Sequence, residues 1–253
     1  MIRASVAMAV YNGEKHIHQQ IDTILSQLTE EDELVISYDR STDATWDIIQ
    51  GYAQQDSRVR VVENPYGGGV QNNFTSAVMS CRGQYIFLAD QDDVWYQDKI
   101  AKVVDVFETT DADLVVHDGY MADADLNILE GTIFQRFGTY NNPLLNIVKQ
   151  NFWGCCMAFR WPVRELVCPF PNKGKVGHDI WIGILVGFSG KIVRIPECLI
   201  AHRLHGSNVS AEKTRPLPEV LKHRLWLLHF LIKKGWSLLW KSGRGETHEE
   251  KPL

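Results

Sequence analysis

From residue 5 to residue 89 the chain alternates short apolar runs with amphipathic stretches of helical period, and no other feature restricts the fold as strongly. Residues 5–11 form an apolar run of the kind buried on both faces of a sheet. Ile17, Ile21, Ile24, Leu25 and Leu28 then recur at helical spacing. Residues 34–37 read as a second strand, and Ser41, Thr42 and Asp43 offer N-caps for a helix through Trp46, Ile49 and Ala53. Residues 59–63 follow as a third strand. The Gly67-Gly68-Gly69 turn leads into a helix with Phe74, Ala77, Val78 and Cys81 on one side, and a fourth strand over residues 85–89 ends directly on Asp90. Alternation at this spacing predicts a mostly parallel sheet with helices on both faces. In such sheets ligands bind beyond the carboxyl ends of the strands. Three of those ends carry polar groups: Tyr11-Asn12-Gly13 after the first, Asp39 after the second and Asp90-Gln91-Asp92-Asp93 after the fourth.

The second half is less regular. Residues 114–117, 155–159 and 192–195 read as strands, the first running into Asp118, and a helix beginning at His178-Asp179 turns Ile180, Ile184 and Leu185 inward. The adjacent Cys155 and Cys156 fit a buried strand. Five unevenly spaced cysteines without a CxxC pair suggest neither a disulfide framework nor a zinc knuckle. A net charge of −5 provides no broad basic field for nucleic acid. The charge is uneven, however: residues 217–253 hold seven Lys/Arg against four Asp/Glu, so this segment sums to +3 and the remainder to −8. The segment is Leu-rich and carries Trp226, Trp236 and Trp240 among Lys222, Arg224, Lys233, Lys234 and Lys241. It is expected to be an amphipathic helical tail beyond a domain of residues 1–216. Such a tail can lie on an anionic membrane surface, or pack on its own domain or on a second copy in a homo-oligomer. With no secretion signal or membrane-spanning run, the protein is expected to be cytoplasmic, at most peripheral at the inner face of the membrane.

Three carboxylates within Asp90-Gln91-Asp92-Asp93 repel one another unless a cation offsets them. Hard oxygen ligands suit Mg2+ or Mn2+ that also meets substrate phosphates; the competing reading is a solvated loop whose acids cap a helix near Asp98. Asp39 can accept from a nucleobase or ribose, or cap the following helix. Asp179, at a helix start, can act as a general base beside Trp181 stacked on a sugar, or can complement the helix dipole. His205 can be a further metal ligand and Arg203 can meet a phosphate, although a lone histidine is more often structural. P-loop, dinucleotide and nucleophile-elbow signatures are absent.

As an ordered set these pieces resemble the family 2 inverting glycosyltransferases, which have the GT-A fold. The set comprises Val6-Ala7-Met8-Ala9-Val10-Tyr11-Asn12-Gly13, Asp39 with Ser41-Thr42-Asp43, residues 85–93 with Val94-Trp95, His178-Asp179-Ile180-Trp181 and His205-Gly206-Ser207-Asn208-Val209-Ser210. The Asp-Gln-Asp-Asp-Val-Trp form is similar to rhamnosyltransferase-type members that build bacterial surface polysaccharides. The resemblance implies a nucleoside-diphosphate sugar donor, linked to UDP or dTDP, and a saccharide or lipid-linked saccharide acceptor. It implies that Asp39 contacts the nucleobase, and that Asp90 and Asp92 form the DxD pair with Asp92 nearest the Mg2+ or Mn2+. Asp93 would support the donor sugar, Asp179 would be the base, and His205 would be a metal ligand. The loop of Tyr11 and Asn12 would border the donor. Where the family usually has Asp-Asp-Gly-Ser, this chain has Tyr38-Asp39-Arg40-Ser41, and Arg40 can instead reach the diphosphate. The Q-x-x-R-W motif of processive synthases is absent, so single addition is expected. Two other readings stay open: a sugar-nucleotide pyrophosphorylase, against which the short acidic loop after the first strand argues, and a non-catalytic nucleotide-sugar binding module of the same fold.

Overall fold

The computed structural model describes residues 2–173, 176–206 and 217–243, with residues 217 and 236–243 described by backbone alone. Its first half follows the alternation: β1 (Ala4–Val10), α1 (Ile17–Leu25), β2 (Asp32–Tyr38), α2 (Thr45–Gln55), β3 (Val59–Glu63), α3 (Val70–Ser80) and β4 (Tyr85–Ala89). β1 pairs in parallel with β2 and β4, and β2 with β3. Val6, Ala7 and Met8 of β1 and Leu34, Val35 and Ile36 of β2 are fully buried, as strands covered on both faces require. Register sets Val10 against Tyr38 and Met8 against Ala89. The segments starting at Tyr11, Asp39 and Asp90 therefore leave the sheet along one edge.

The second half makes the sheet mixed. It comprises β5 (Val94–Trp95), α4 (Lys99–Thr109), β6 (Leu114–Ala122), β7 (Ile128–Thr132), α5 (Ile133–Phe137), α6 (Pro143–Val148), a 3-10 turn at Gly154–Cys156, β8 (Met157–Arg160), α7 (Val163–Val167), α8 (His178–Ser189), β9 (Ile192–Arg203) and α9 (Leu217–Gly243). The strand order is β3-β2-β1-β4-β8-β6-β9-β5, with β7 beside β6. β8 runs antiparallel to both β4 and β6, while β6 and β9 are parallel. Two reversals restore direction, so β9 points the same way as β4 and its carboxyl end reaches the edge that carries Asp90. β5 pairs antiparallel with β9, Val94 to Ala201 and Trp95 to Ile200, which draws the acidic loop against the end of β9.

Three local expectations change. The N-cap position of α2 is Ala44, without a side-chain bond; Ser41 and Thr42 tie neighbouring loops, and Asp43, one residue earlier than a cap, accepts from the N–H of Thr45 at the start of α2. Cys155 and Cys156 are buried, but in the 3-10 turn ahead of β8. The strand read over residues 192–195 continues to Arg203. Its register passes from His117 opposite Ile195 to Asp118 opposite Cys198, so Pro196 and Glu197 bulge out where proline has no N–H for the ladder. That interruption hides the strand from a period-two pattern.

The tail helix α9 docks one face on the domain. His223 and Leu227 are buried, and Trp226 and Phe230 are partly buried against the core. Arg224 donates to Val148 O on α6 at 2.9 Å. Leu221, Leu225, Leu228 and Ile232 are exposed. The side chains of Trp236, Trp240 and Lys241 lie outside the described residues, as do Ser207, Asn208, Val209 and Ser210 altogether. No described helix is long and apolar enough to cross a membrane.

Candidate active site

The loops along the carboxyl edge hold one another in place. Asn12 sits at φ 47°, a left-handed conformation that asparagine tolerates. Its N–H donates to Ser41 Oγ at 2.9 Å, and its side-chain oxygen accepts from Thr42 N–H at 2.8 Å. Gly13 N–H donates to Thr45 Oγ1 at 2.8 Å, and the Asp43 carboxylate accepts from the N–H groups of Glu14 and Thr45. The Gln91 amide exchanges two bonds with the Tyr11 main chain, 2.8 and 2.9 Å long. A Cβ on residue 13 would lie 2.6 Å from Gln91 Oε1, so glycine there makes room for this amide. Asn12, expected to border the donor, ties two loops together, and both it and Tyr11 are exposed.

Asp39 stands half-buried at the tip of β2, accepting from Arg40 N–H at 3.0 Å and Gly69 N–H at 2.9 Å. Gly67 and Gly69 have φ of 82° and 110°, which only glycine adopts readily, and this turn carries the start of α3 to the carboxylate. The Arg40 side chain is exposed beside it.

The acidic loop has an outer and an inner side. Asp92 meets His205 Nε2 at 2.8 Å, both side chains being 14% exposed, and the His16 ring lies 5.0 Å from that of His205. Asp93 turns inward and is fully buried. Its Oδ1 meets His202 Nδ1 at 2.8 Å and accepts from Arg203 N–H at 3.1 Å. Asp93, which the resemblance implied would support the donor sugar, therefore faces the core. Arg203, expected at a phosphate, is buried too. Its guanidinium donates to Asp92 O at 2.9 Å, Ala124 O at 2.8 Å and Gln19 Oε1 at 2.6 Å, bracing the acidic loop from behind. Gln20 Nε2 holds Asp90 O at 2.8 Å. Ligand atoms of Asp90, Asp93, Cys155 and His202 lie within 4.8 Å of one another.

Asp179 occupies the first turn of α8, where its Oδ1 accepts from Ile180 N–H at 2.8 Å. Its charge is near enough to Asp90 to raise that acid. Trp181, expected to stack on a sugar, is buried and donates its indole N–H to Val167 O at 2.8 Å; it is a core residue. Reading the sequence did not single out Gln91, His16, Cys155 or His202. None has a local signature, and His202 becomes visible only once β5 is seen to pair with β9.

Burial, then Asp93 and Asp92, push the Asp90 carboxyl up to about 8. Burial and Asp93 raise Asp92 as well. Burial opposes an imidazolium at His202, but Asp93 and Cys155 outweigh it and hold its pKa well above the ordinary value. A raised folded-state pKa means that the folded chain binds more protons than the unfolded one, so the associated stability is lost as pH rises. For Asp90 that loss runs from 3.8 to about 8. The opposing histidines are His178, lowered to about 4 by burial, His117, lowered by burial and Lys99, and His16, lowered by burial and Arg203; their gain is complete by 6.5. The metal-free chain should therefore lose stability between about pH 6.5 and 8, at up to ~1.4 kcal/mol per pH unit for each group. Thermal melts across this window check the sign. A melting temperature that rises there would mean the acid cluster is not a net burden.

A mainly parallel sheet whose carboxyl edge gathers acids from the ends of β2 and β4 and the start of α8 defines a GT-A protein. The chain belongs to glycosyl transferase family 2, whose sequence model matches residues 5–165. Over 220 residues it is 28% identical to the UDP-Glc:alpha-D-GlcNAc-diphosphoundecaprenol beta-1,3-glucosyltransferase WfaP of Escherichia coli, covering 84% of this chain and 82% of that one. Residues 1–349 of S. aureus TarS share the fold with a TM-score of 0.65 at 18% identity; the match covers 79% of this chain and 60% of that structure, less than two thirds of its length. The mannosyltransferase PcManGT from Pyrobaculum calidifontis, in complex with GDP-Man and Mn2+, matches with a TM-score of 0.61 at 16% identity over 97% of this chain and 76% of that one.

Proposed function

We propose that the chain is a cation-dependent, inverting glycosyltransferase. It moves one sugar from a UDP or dTDP donor to a hydroxyl of a lipid-linked saccharide in bacterial surface-polysaccharide synthesis. The observation that carries this reading is the meeting of Asp39, Asp90, Asp92, His205 and Asp179 along one sheet edge. Relatives support it in kind. WfaP is by name a glucosyltransferase using UDP-Glc and a diphosphoundecaprenol-linked sugar. TarS is solved with UDP-GlcNAc, with a TM-score of 0.68 at 16% identity, and PcManGT with GDP-Man and Mn2+.

In this reading Asp39 takes the nucleobase and Arg40 reaches toward the diphosphate. Asp92 and His205 hold Mg2+ or Mn2+, because a carboxylate oxygen and an imidazole nitrogen already meet at 2.8 Å on the outer side of a loop crowded with acids. The cation, when bound, neutralises charge developing on the leaving diphosphate. Asp179 accepts the proton of the acceptor hydroxyl. The acceptor oxygen bonds to the anomeric carbon as the bond to the diphosphate breaks, and the single displacement inverts that carbon. Arg203 and Gln91 act as positioning residues, fixing the acidic loop and the Tyr11 loop. The exposed Leu221, Leu225, Leu228 and Ile232, with exposed Lys222 and Lys233, support seating α9 on an anionic membrane where a lipid-linked acceptor resides.

Nucleoside diphosphates and nucleotide sugars, tested with and without Mn2+, should raise the melting temperature for the cognate base in a cation-dependent way. NMR of the product should show the anomeric configuration opposite to that of the donor. Retention of configuration would remove the single displacement. Pyrophosphate released from a sugar phosphate and a nucleoside triphosphate would mark a pyrophosphorylase instead.

A further inference from the structure

The inner side of the acidic loop differs chemically from the outer side. Three parts of the fold meet there: the loop after β4 with Asp90 and Asp93, the 3-10 turn with Cys155, and the end of β9 with His202. Their ligand atoms lie within 4.8 Å of one another. His202 Nδ1 is 2.8 Å from Asp93 Oδ1 and 3.8 Å from Cys155 Sγ. A tetrahedral zinc ion holds its ligand atoms roughly 3.3–3.8 Å apart, given metal–ligand bonds of about 2.0–2.3 Å, so the widest separations close by about 1 Å and the 2.8 Å Asp93–His202 hydrogen bond opens by about 0.5 Å.

A second observation points to a ligand. Asp93 is 0% exposed, and its Oδ2 has no partner among the described residues. Buried polar atoms of this kind carry a penalty unless something satisfies them. The neighbouring buried cation, Lys99, turns its amine to Cys155 O at 2.8 Å and to the Trp95 ring at 3.7 Å.

We propose that Asp93, Cys155 and His202, with Asp90 on the open side, form an internal site for a thiophilic divalent cation, Zn2+ by its donor set. Thiolate and imidazole favour zinc over Mg2+, which sets this site apart from the Asp92–His205 pair on the outer side. Binding releases the Cys155 thiol proton and any proton on the ligating imidazole nitrogen to solvent. The ion joins three segments distant in sequence and stiffens the loop that carries Asp92. The site shares Asp90 with the donor-binding reading, but its Cys155 and His202 ligands take no part in that reading.

The test titrates the chelator-stripped full chain with Co2+ as an optical substitute for zinc. A saturable near-ultraviolet thiolate-to-cobalt absorption is expected, displaced by Zn2+, retained in Asp92→Asn and Cys156→Ser, and absent in Cys155→Ser. No thiolate band in the wild-type chain, or a band that survives Cys155→Ser, overturns the site. If Cys155→Ser does not fold, X-ray absorption of the zinc-loaded wild-type chain decides: a sulfur neighbour at about 2.3 Å supports the site, and a shell of oxygen and nitrogen alone overturns it. Donor binding is followed separately, by the Mn2+-dependent melting shift with UDP, so either result can fail without the other.

Discussion

Asp179→Asn is expected to reduce sugar transfer by ~10²–10⁴-fold while nucleotide and Mn2+ binding stay at wild-type levels. Asparagine matches the shape of the aspartate and keeps an oxygen for the Ile180 N–H bond at the start of α8. What it removes is the ability to take a proton. The loss should therefore fall on kcat, with the donor KM little changed. Steady-state kinetics together with calorimetric titration of UDP separate the two quantities. A variant with full turnover would place the base elsewhere, and a parallel loss of donor affinity would make Asp179 a binding residue.

Asp92→Asn should lower kcat/KM by ~10²–10³-fold, the scale seen when one preorganised electrostatic contact to developing charge is removed. It should also abolish the Mn2+ dependence of nucleotide binding. The amide can still hydrogen-bond His205, 2.8 Å away, so the fold of the outer loop is preserved and the carboxylate charge is what disappears. Melting of the variant without Mn2+ at or above the wild-type temperature, combined with the lost Mn2+ response, would isolate the cation effect. If Mn2+-dependent UDP binding persisted, Asp92 would not be a ligand of the donor cation.

Much of the site is legible in the chain because its parts end strands that are themselves legible. Residues 5–11, 34–37 and 85–89 are apolar enough to be strands buried on two faces, and β1, β2 and β4 occupy almost those spans. Asp39 and Asp90 then follow at one edge by register alone. Roles inferred from residue type fared less well. An aromatic ring beside an acid suggested that Trp181 stacks on a sugar, but a helix turn away from the mouth sends it into the core. A basic residue near the acids suggested that Arg203 meets phosphate, yet it is buried and donates to two carbonyls and Gln19. Side-chain chemistry says what a group can bind; direction decides whether it does.

The sequence by itself determined the parallel half of the sheet, the edge where β1, β2 and β4 end, and the family signature along that edge. Those rest on local patterns: apolar runs, helical stripes and glycine turns. Only the tertiary structure decided which acids face outward. Asp92 and Asp93 are neighbours in the chain, yet one meets His205 on the outer side and the other His202 in the core. The cause is the antiparallel pairing of Val94 and Trp95 with Ala201 and Ile200, a contact across the length of the domain that no local pattern encodes.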